Sequence, residues 1–167
     1  IEKTPRHLRY IDEISRHVPN ARFVHVVRHG ADVVASLWEV THRFPEQWDG
    51  ARDVHTCVDR WLESVRITDA WIDDPDHCVV RYEDLVENTA DQVASVFEFI
   101  GVAPEDDAVR RYRSTVGEVI EDHEEWKERN RGGIRRRRQS KFEQLFSNPQ
   151  RARILARLDE APSRFAY

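Results

Sequence analysis

The sequence predicts an α/β fold in which a parallel sheet is flanked by helices. Residues 22–28 and 77–82 are predicted to be strands, and the first is apolar enough to be buried on both faces, as in a parallel sheet. Each strand is followed by a segment whose apolar residues recur at helical spacing. This alternation of strand and helix is typical of domains that contain a parallel sheet.

The helices are predicted from the same spacing and from the turn residues between them. The strongest helix is 51–72, whose continuous apolar stripe includes Trp61 and Trp71, and we expect both to be core residues. Gly101 is predicted to cap the helix that precedes it. In chain order, the predicted helices are 10–18, 32–40, 51–72, 89–100, 109–119, 139–146 and 149–158.

These elements predict one domain over residues 1–167, with a binding core at 1–101 and a helical closing segment at 102–167. The length and the 40% content of hydrophobic residues suit a single folded domain. Two strands are few for a stable doubly wound sheet. The chain also opens with Ile1 and contains no methionine. We therefore expect the domain to be a fragment of a longer protein.

Composition and charge narrow the classes of function. The net charge of −5 argues against general binding of nucleic acid. The sequence shows neither a membrane-spanning run nor a signal peptide. We expect a cytoplasmic location and no membrane partner for this segment. Cys57 and Cys78 are too few for a disulfide framework, so we expect buried free thiols. The His, Cys and Asp residues lack the spacing of metal ligands, so no metal site is predicted. The sequence leaves the oligomeric state open.

The end of the first strand carries the strongest chemical signal. Arg28 ends the strand, Gly30 lies in the turn that follows, and Ser36 lies one turn into the next helix. Open α/β folds bind ligands at the carboxyl ends of their strands, where helix N-termini favour anions. An arginine fork with a serine hydroxyl suits a phosphate monoester. In the competing interpretation, Arg28 has a structural role and is paired to a helix carboxylate. In both interpretations, Asp32 is expected to cap the helix and to orient Arg28.

The order and spacing of four segments along the chain carry further information. These segments are Glu2–His7, Arg28–Ser36, Trp61 and Arg81–Leu85. Together they resemble the sulfotransferases that use 3′-phosphoadenosine 5′-phosphosulfate (PAPS), and the second segment resembles the part of that family that binds the 3′-phosphate. The resemblance implies a P-loop NTPase-like sulfotransferase fold with a parallel sheet. The fold is expected to be incomplete, because the family's glycine-rich loop for the 5′-phosphosulfate has no counterpart in this sequence.

The resemblance also implies candidates for the chemical step. Lys3 is similar to a lysine of the family, and an ammonium suits the charge that develops on the bridging oxygen during sulfuryl transfer. His7 is the candidate base for the acceptor proton, with His25 and His29 as alternatives. In the competing interpretation, Lys3 and His7 are solvated surface residues.

Two further segments are candidates for binding the donor. Tyr82 lies near the place where the family stacks an aromatic ring on adenine, although a tyrosine at a strand end also closes a core. Arg131, Gly132 and Gly133 loosely resemble a C-terminal segment that returns to the 3′-phosphate. The competing interpretation of that segment is a solvated basic loop that balances the acidic run before it.

The sequence therefore predicts a sulfotransferase that moves a sulfuryl group from PAPS to a hydroxyl or amine of a small molecule or glycan, without a metal. The chain alone is expected to be inactive, because half of its donor site is expected to be missing. One alternative is a P-loop kinase-like enzyme that binds nucleotides and prefers ATP. The other is a degenerate, non-catalytic domain that serves in interactions.

Overall fold

A computed structural model describes residues 1–103 and 140–166 of the chain. The chain divides into two compact units, one formed by Ile1–Val80 and Ser140–Tyr167 and the other by Arg81–Gln139. The predicted helix at 109–119 lies outside the described residues.

Two parallel strands, β1 (Phe23–Val27) and β2 (His77–Arg81), form the sheet of the described residues. The backbone N–H of Phe23 donates to the carbonyl of Asp76 at 2.9 Å, which aligns the starts of the two strands. Both strands end within one residue of their predicted boundaries. The prediction of an α/β fold with a parallel sheet flanked by helices is confirmed.

Most of the predicted helices are present, and several begin at side chains that cap them. The Asp53 carboxylate accepts the backbone N–H of Thr56 at 2.7 Å, and Ser147 and Gln150 form a capping box. Gly101 ends its helix with φ at 75°, as its predicted capping role requires. The helices are α1 (Ile11–His17), α2 (Gly30–Arg43), α3 (Val54–Trp71), α4 (Tyr82–Glu87), α5 (Thr89–Ile100), α6 (Lys141–Leu145) and α7 (Asn148–Leu158).

The core of the first unit lies between β1, α2, α3 and the helices of residues 140–166. Helix α2 packs on α3 and α6, and α7 packs on α3. Trp61 is buried, as predicted, whereas Trp71 is half-buried. Burial raises the pKa of the free Cys57 thiol to about 11, so it stays protonated at neutral pH. The core residues are Val27, Ala31, Val34, Ala35, Cys57, Val58, Trp61, Leu62, Val65, Phe142, Phe146, Ile154, Leu158 and Phe165.

A chain of hydrogen bonds between imidazoles joins the two strands to α3. Nε2 of His25 lies 2.9 Å from Nδ1 of His77, and Nδ1 of His25 lies 3.1 Å from the Thr68 hydroxyl. The His77 ring is stacked on Phe23 and on Trp71, with centroids 4.6 and 4.9 Å apart. Both histidines are buried. His25, which the sequence offered as an alternative base, is therefore engaged inside the core.

This histidine pair makes the stability of the protein sensitive to acid. Burial, followed by repulsion from His77, lowers the pKa of His25 from 6.5 to about 4. Burial also lowers the pKa of His77, although Asp74 and Asp76 oppose that shift. Since the unfolded chain binds protons more readily than the folded one, the stabilisation is complete above pH 6.5 and is lost as the pH falls toward 4.

We expect the free energy of unfolding to fall by up to about 3 kcal/mol between pH 7 and pH 4 because of His25. Urea titrations at a series of pH values measure it. The His25→Gln variant keeps a polar side chain that does not titrate, so its unfolding free energy should depend less on pH over this window. Equal slopes for the wild type and the variant would contradict the assignment.

Candidate functional site

The candidate site is built around the turn between β1 and α2. Strand β1 delivers Arg28 to the turn, and α2 begins at Gly30. His29 caps the helix, because its Nδ1 accepts the backbone N–H of Ala31 at 3.2 Å. The prediction that the helix opens at Asp32 with Asp32 as its cap is therefore wrong. His29, the alternative base, acts in this structure as the cap.

Arg28 is held in place by the first turn of α2. Its Nη2 lies 2.7 Å from Oδ2 of Asp32, and the two side chains are 30% and 33% exposed. Asp32 therefore orients Arg28, as predicted. The pair is partly desolvated, which strengthens its interaction.

Ser36 extends this arrangement along the helix. It lies four residues after Asp32 in α2, and residues four apart in a helix share a face. Ser36 is half-buried. Asp32 and Ser36 thus share a face of the first two turns of α2, whose N-terminus carries partial positive charge, and Arg28 pairs with Asp32 from the turn before the helix.

Trp61 and Leu158 support the turn from the core side. The indole N–H of Trp61 donates to the carbonyl of Arg28 at 3.0 Å. A Cβ on Gly30 would lie 3.0 Å from two atoms of the Trp61 ring and 2.9 Å from Cδ2 of Leu158, closer than ordinary packing allows. The sequence placed Trp61 in the apolar stripe of the helix, but no pattern in it shows this hydrogen bond.

The N-terminal segment that carries Lys3 and His7 is attached to α3. Residues Pro5–Tyr10 form a 3₁₀-helix, and both candidate side chains are exposed. Nη2 of Arg9 lies 2.6 Å from Oε2 of Glu63 in α3. Among the described residues, no hydrogen bond or ion pair joins Lys3 or His7 to Arg28.

The remaining candidates lie in the second unit or outside the described residues. Tyr82 is the first residue of α4 and is half-buried. Glu83 and Asp84 follow it in the first turn of that helix, where carboxylates interact favourably with the helix dipole. Arg131, Gly132 and Gly133 lie outside the described residues.

Within residues 1–103 and 140–166, no group of three or more His, Cys, Asp or Glu side chains is arranged to hold a metal ion. In the same part of the chain, no helix combines the length and the apolar character that crossing a bilayer requires.

Residues 1–107 match a family model whose description is "Sulfotransferase family". The match covers the β1–α2 turn, both strands, and helices α1 to α5. No curated protein and no solved structure matches the chain.

Proposed function

The chain belongs to the sulfotransferase family, and from this premise we propose that it transfers a sulfuryl group from PAPS to a hydroxyl or amine of a small molecule or glycan. One observation carries the proposal: the Arg28–Asp32 pair, 30% and 33% exposed, lies at the carboxyl end of β1, within the matched residues. Ser36 adds a hydroxyl on the same helix face.

In this proposal, Arg28 and Ser36 bind the 3′-phosphate of the donor. A guanidinium has five N–H donors in a fixed fork, enough to hold Asp32 and a phosphate oxygen together. The N-terminus of the 14-residue helix α2 adds a favourable dipole. The carboxylate of Asp32 keeps the guanidinium oriented, but its negative charge lowers the net positive charge at the site and so weakens the attraction for phosphate. The donor set therefore fits a phosphate monoester.

Tyr82 and the segment 131–133 are further candidates for binding the donor. Tyr82 would present its ring to the adenine, for which stacking on a flat aromatic surface is favourable. Arg131, with Gly132 and Gly133, would bring a second guanidinium to the 3′-phosphate while the glycines allow a close backbone approach. The resemblance of these residues to the family supports both assignments.

Bound PAPS would supply the sulfuryl group, whose bond to the bridging oxygen breaks as the bond to the acceptor oxygen forms. Lys3 would place its ammonium near the bridging oxygen, where negative charge grows. His7 would accept the proton that the acceptor hydroxyl loses, because histidine is the side chain that most often acts as a general base. Both side chains are exposed, so a substrate can reach them.

We expect His7→Ala to lower kcat by about 100-fold or more, and Lys3→Ala to have a comparable effect, with little change in the affinity for 3′-phosphoadenosine 5′-phosphate. Steady-state rates of sulfuryl transfer by the natural gene product measure this. Arg6→Ala is the matched control, because Arg6 lies in the same segment and its ion pair with Asp49, at 3.9 Å, is long and exposed. An unchanged kcat in either variant would remove that residue from the mechanism.

Isothermal calorimetry with 3′-phosphoadenosine 5′-phosphate, AMP and ATP tests the proposed function directly. We expect the bisphosphate to bind at least about 10-fold more tightly than AMP, since a bound phosphate gains charge-assisted hydrogen bonds. Equal affinities would refute the 3′-phosphate site. A preference for ATP would instead support a kinase-like enzyme, and no nucleotide binding at all would support a non-catalytic domain.

A further inference from the structure

Trp61 joins the helix behind the candidate site to the residue that would bind phosphate. Its side chain is 5% exposed, and its indole N–H donates to the Arg28 carbonyl across 33 residues of sequence at 3.0 Å. Tryptophan has one polar atom, a donor, and a buried donor without a partner is costly. Within the core, the indole therefore fixes the backbone of Arg28.

The side chain of Arg28 is thus held at both of its ends. Asp32 fixes its tip through the 2.7 Å ion pair, and Trp61 fixes the backbone from which it extends. A side chain with four rotatable torsions is positioned only when its base is positioned as well. We propose, on the basis of the proposed function, that Trp61 is a positioning residue for recognition of the 3′-phosphate.

Leu158 provides the second half of this support. It lies on α7 and approaches Gly30 from the core, where a Cβ would be 2.9 Å from its Cδ2. Helix α7 is tied to α3 by Arg157, whose Nη2 lies 2.8 Å from Oδ1 of Asp59. Trp61 and Leu158 together close the space behind the turn, so the turn cannot relax toward the core.

A purely structural role for Trp61 predicts a different result from a positioning role. If the indole only fills the core, its replacement lowers stability and leaves the selectivity of the folded protein unchanged. If the indole positions Arg28, its replacement lowers the affinity for the bisphosphate more than the affinity for AMP, which lacks the 3′-phosphate. The ratio of the two affinities is therefore the decisive quantity.

The test compares Trp61→Phe with the wild type in the natural gene product, by calorimetry at a temperature at which circular dichroism shows both to be folded. We expect the ratio of affinities for 3′-phosphoadenosine 5′-phosphate and AMP to fall about 3- to 10-fold, the loss of one hydrogen bond. Trp71→Phe is the matched control, because Trp71 lies on the same helix and stacks on His77. Its ratio should equal that of the wild type.

Leu158→Ala keeps the inference testable if Trp61→Phe does not fold, because it opens the same space without removing the hydrogen bond. We expect a smaller fall in the same ratio. If the folded variants have the same ratio of affinities as the wild type, the positioning role is overturned and the proposed function stays intact. If the wild type itself binds 3′-phosphoadenosine 5′-phosphate and AMP with equal affinity, the 3′-phosphate site is refuted, and the positioning role with it.

Discussion

Replacing Arg28 with alanine is expected to lower the affinity for 3′-phosphoadenosine 5′-phosphate by about 10- to 100-fold and to leave the affinity for AMP unchanged. The variant loses the charge-assisted hydrogen bonds to the 3′-phosphate. It also leaves the Asp32 carboxylate without the guanidinium 2.7 Å away that neutralises it. That carboxylate then repels the ligand, so the effect exceeds the loss of a neutral hydrogen bond.

Two further variants separate these contributions. Arg28→Lys keeps the charge but not the fork, and we expect an intermediate affinity for the bisphosphate. In the double variant Arg28→Ala with Asp32→Ala, removal of the repulsive carboxylate should restore part of the lost affinity. Arg16→Ala is the control, since Arg16 is an exposed arginine of α1 whose ion pair with Glu13 is 3.7 Å long. Bisphosphate binding by Arg28→Ala that matches the wild type would remove the central residue of the proposed site.

Gly30→Ala is expected to lower the free energy of unfolding by about 2 kcal/mol, because the new methyl group overpacks the core. Its Cβ would lie 2.9 Å from Leu158 and 3.0 Å from the Trp61 ring. Both neighbours are buried, on α3 and α7, so making room for the methyl group requires a shift within the packed core. Urea unfolding followed by circular dichroism measures the loss.

A double-mutant cycle shows whether the clash is the cause. Leu158→Ala alone should cost about 3 kcal/mol through the cavity it creates. Combined with Gly30→Ala it should cost about 1 kcal/mol less than the sum, because the smaller side chain makes room for the methyl group. Gly50→Ala is the control: Gly50 has φ at 96° and no atom within 4 Å of an added Cβ, so its cost is conformational. That cost should simply add to the cost of Leu158→Ala.

The apolar spacing of the sequence was sufficient to predict most of the fold. Helix α3 was predicted at 51–72 and observed at Val54–Trp71, and both strands lie within one residue of their predicted bounds. Helix α2 was predicted too short at both ends. It begins early because His29, an uncommon cap, satisfies a backbone N–H. It continues to Arg43 because the buried Thr41 hydroxyl donates to the Trp38 carbonyl within the helix, so a polar residue does not end it.

The candidate site was predictable only in its local part. Arg28, Asp32 and Ser36 lie within nine consecutive residues, and local helical geometry is sufficient to align them. The contacts of Trp61 and Leu158 with the turn depend on how α3 and α7 pack, and this tertiary information is absent from local spacing. The roles of Lys3, His7 and Tyr82 depend on a substrate as well, and stay predictions.

The contribution of residues 140–166 to the core has a consequence for biosynthesis. Phe142, Phe146 and Ile154 pack with residues of β1, α2 and α3 that are made long before them, and Lys141 pairs with Glu39 across 102 residues of sequence. Contacts of such separation are slow to form. While the chain is on the ribosome, the apolar faces of α2 and α3 therefore have no partners from this region. The nascent protein presents those faces to chaperones and proteases until α6 and α7 emerge.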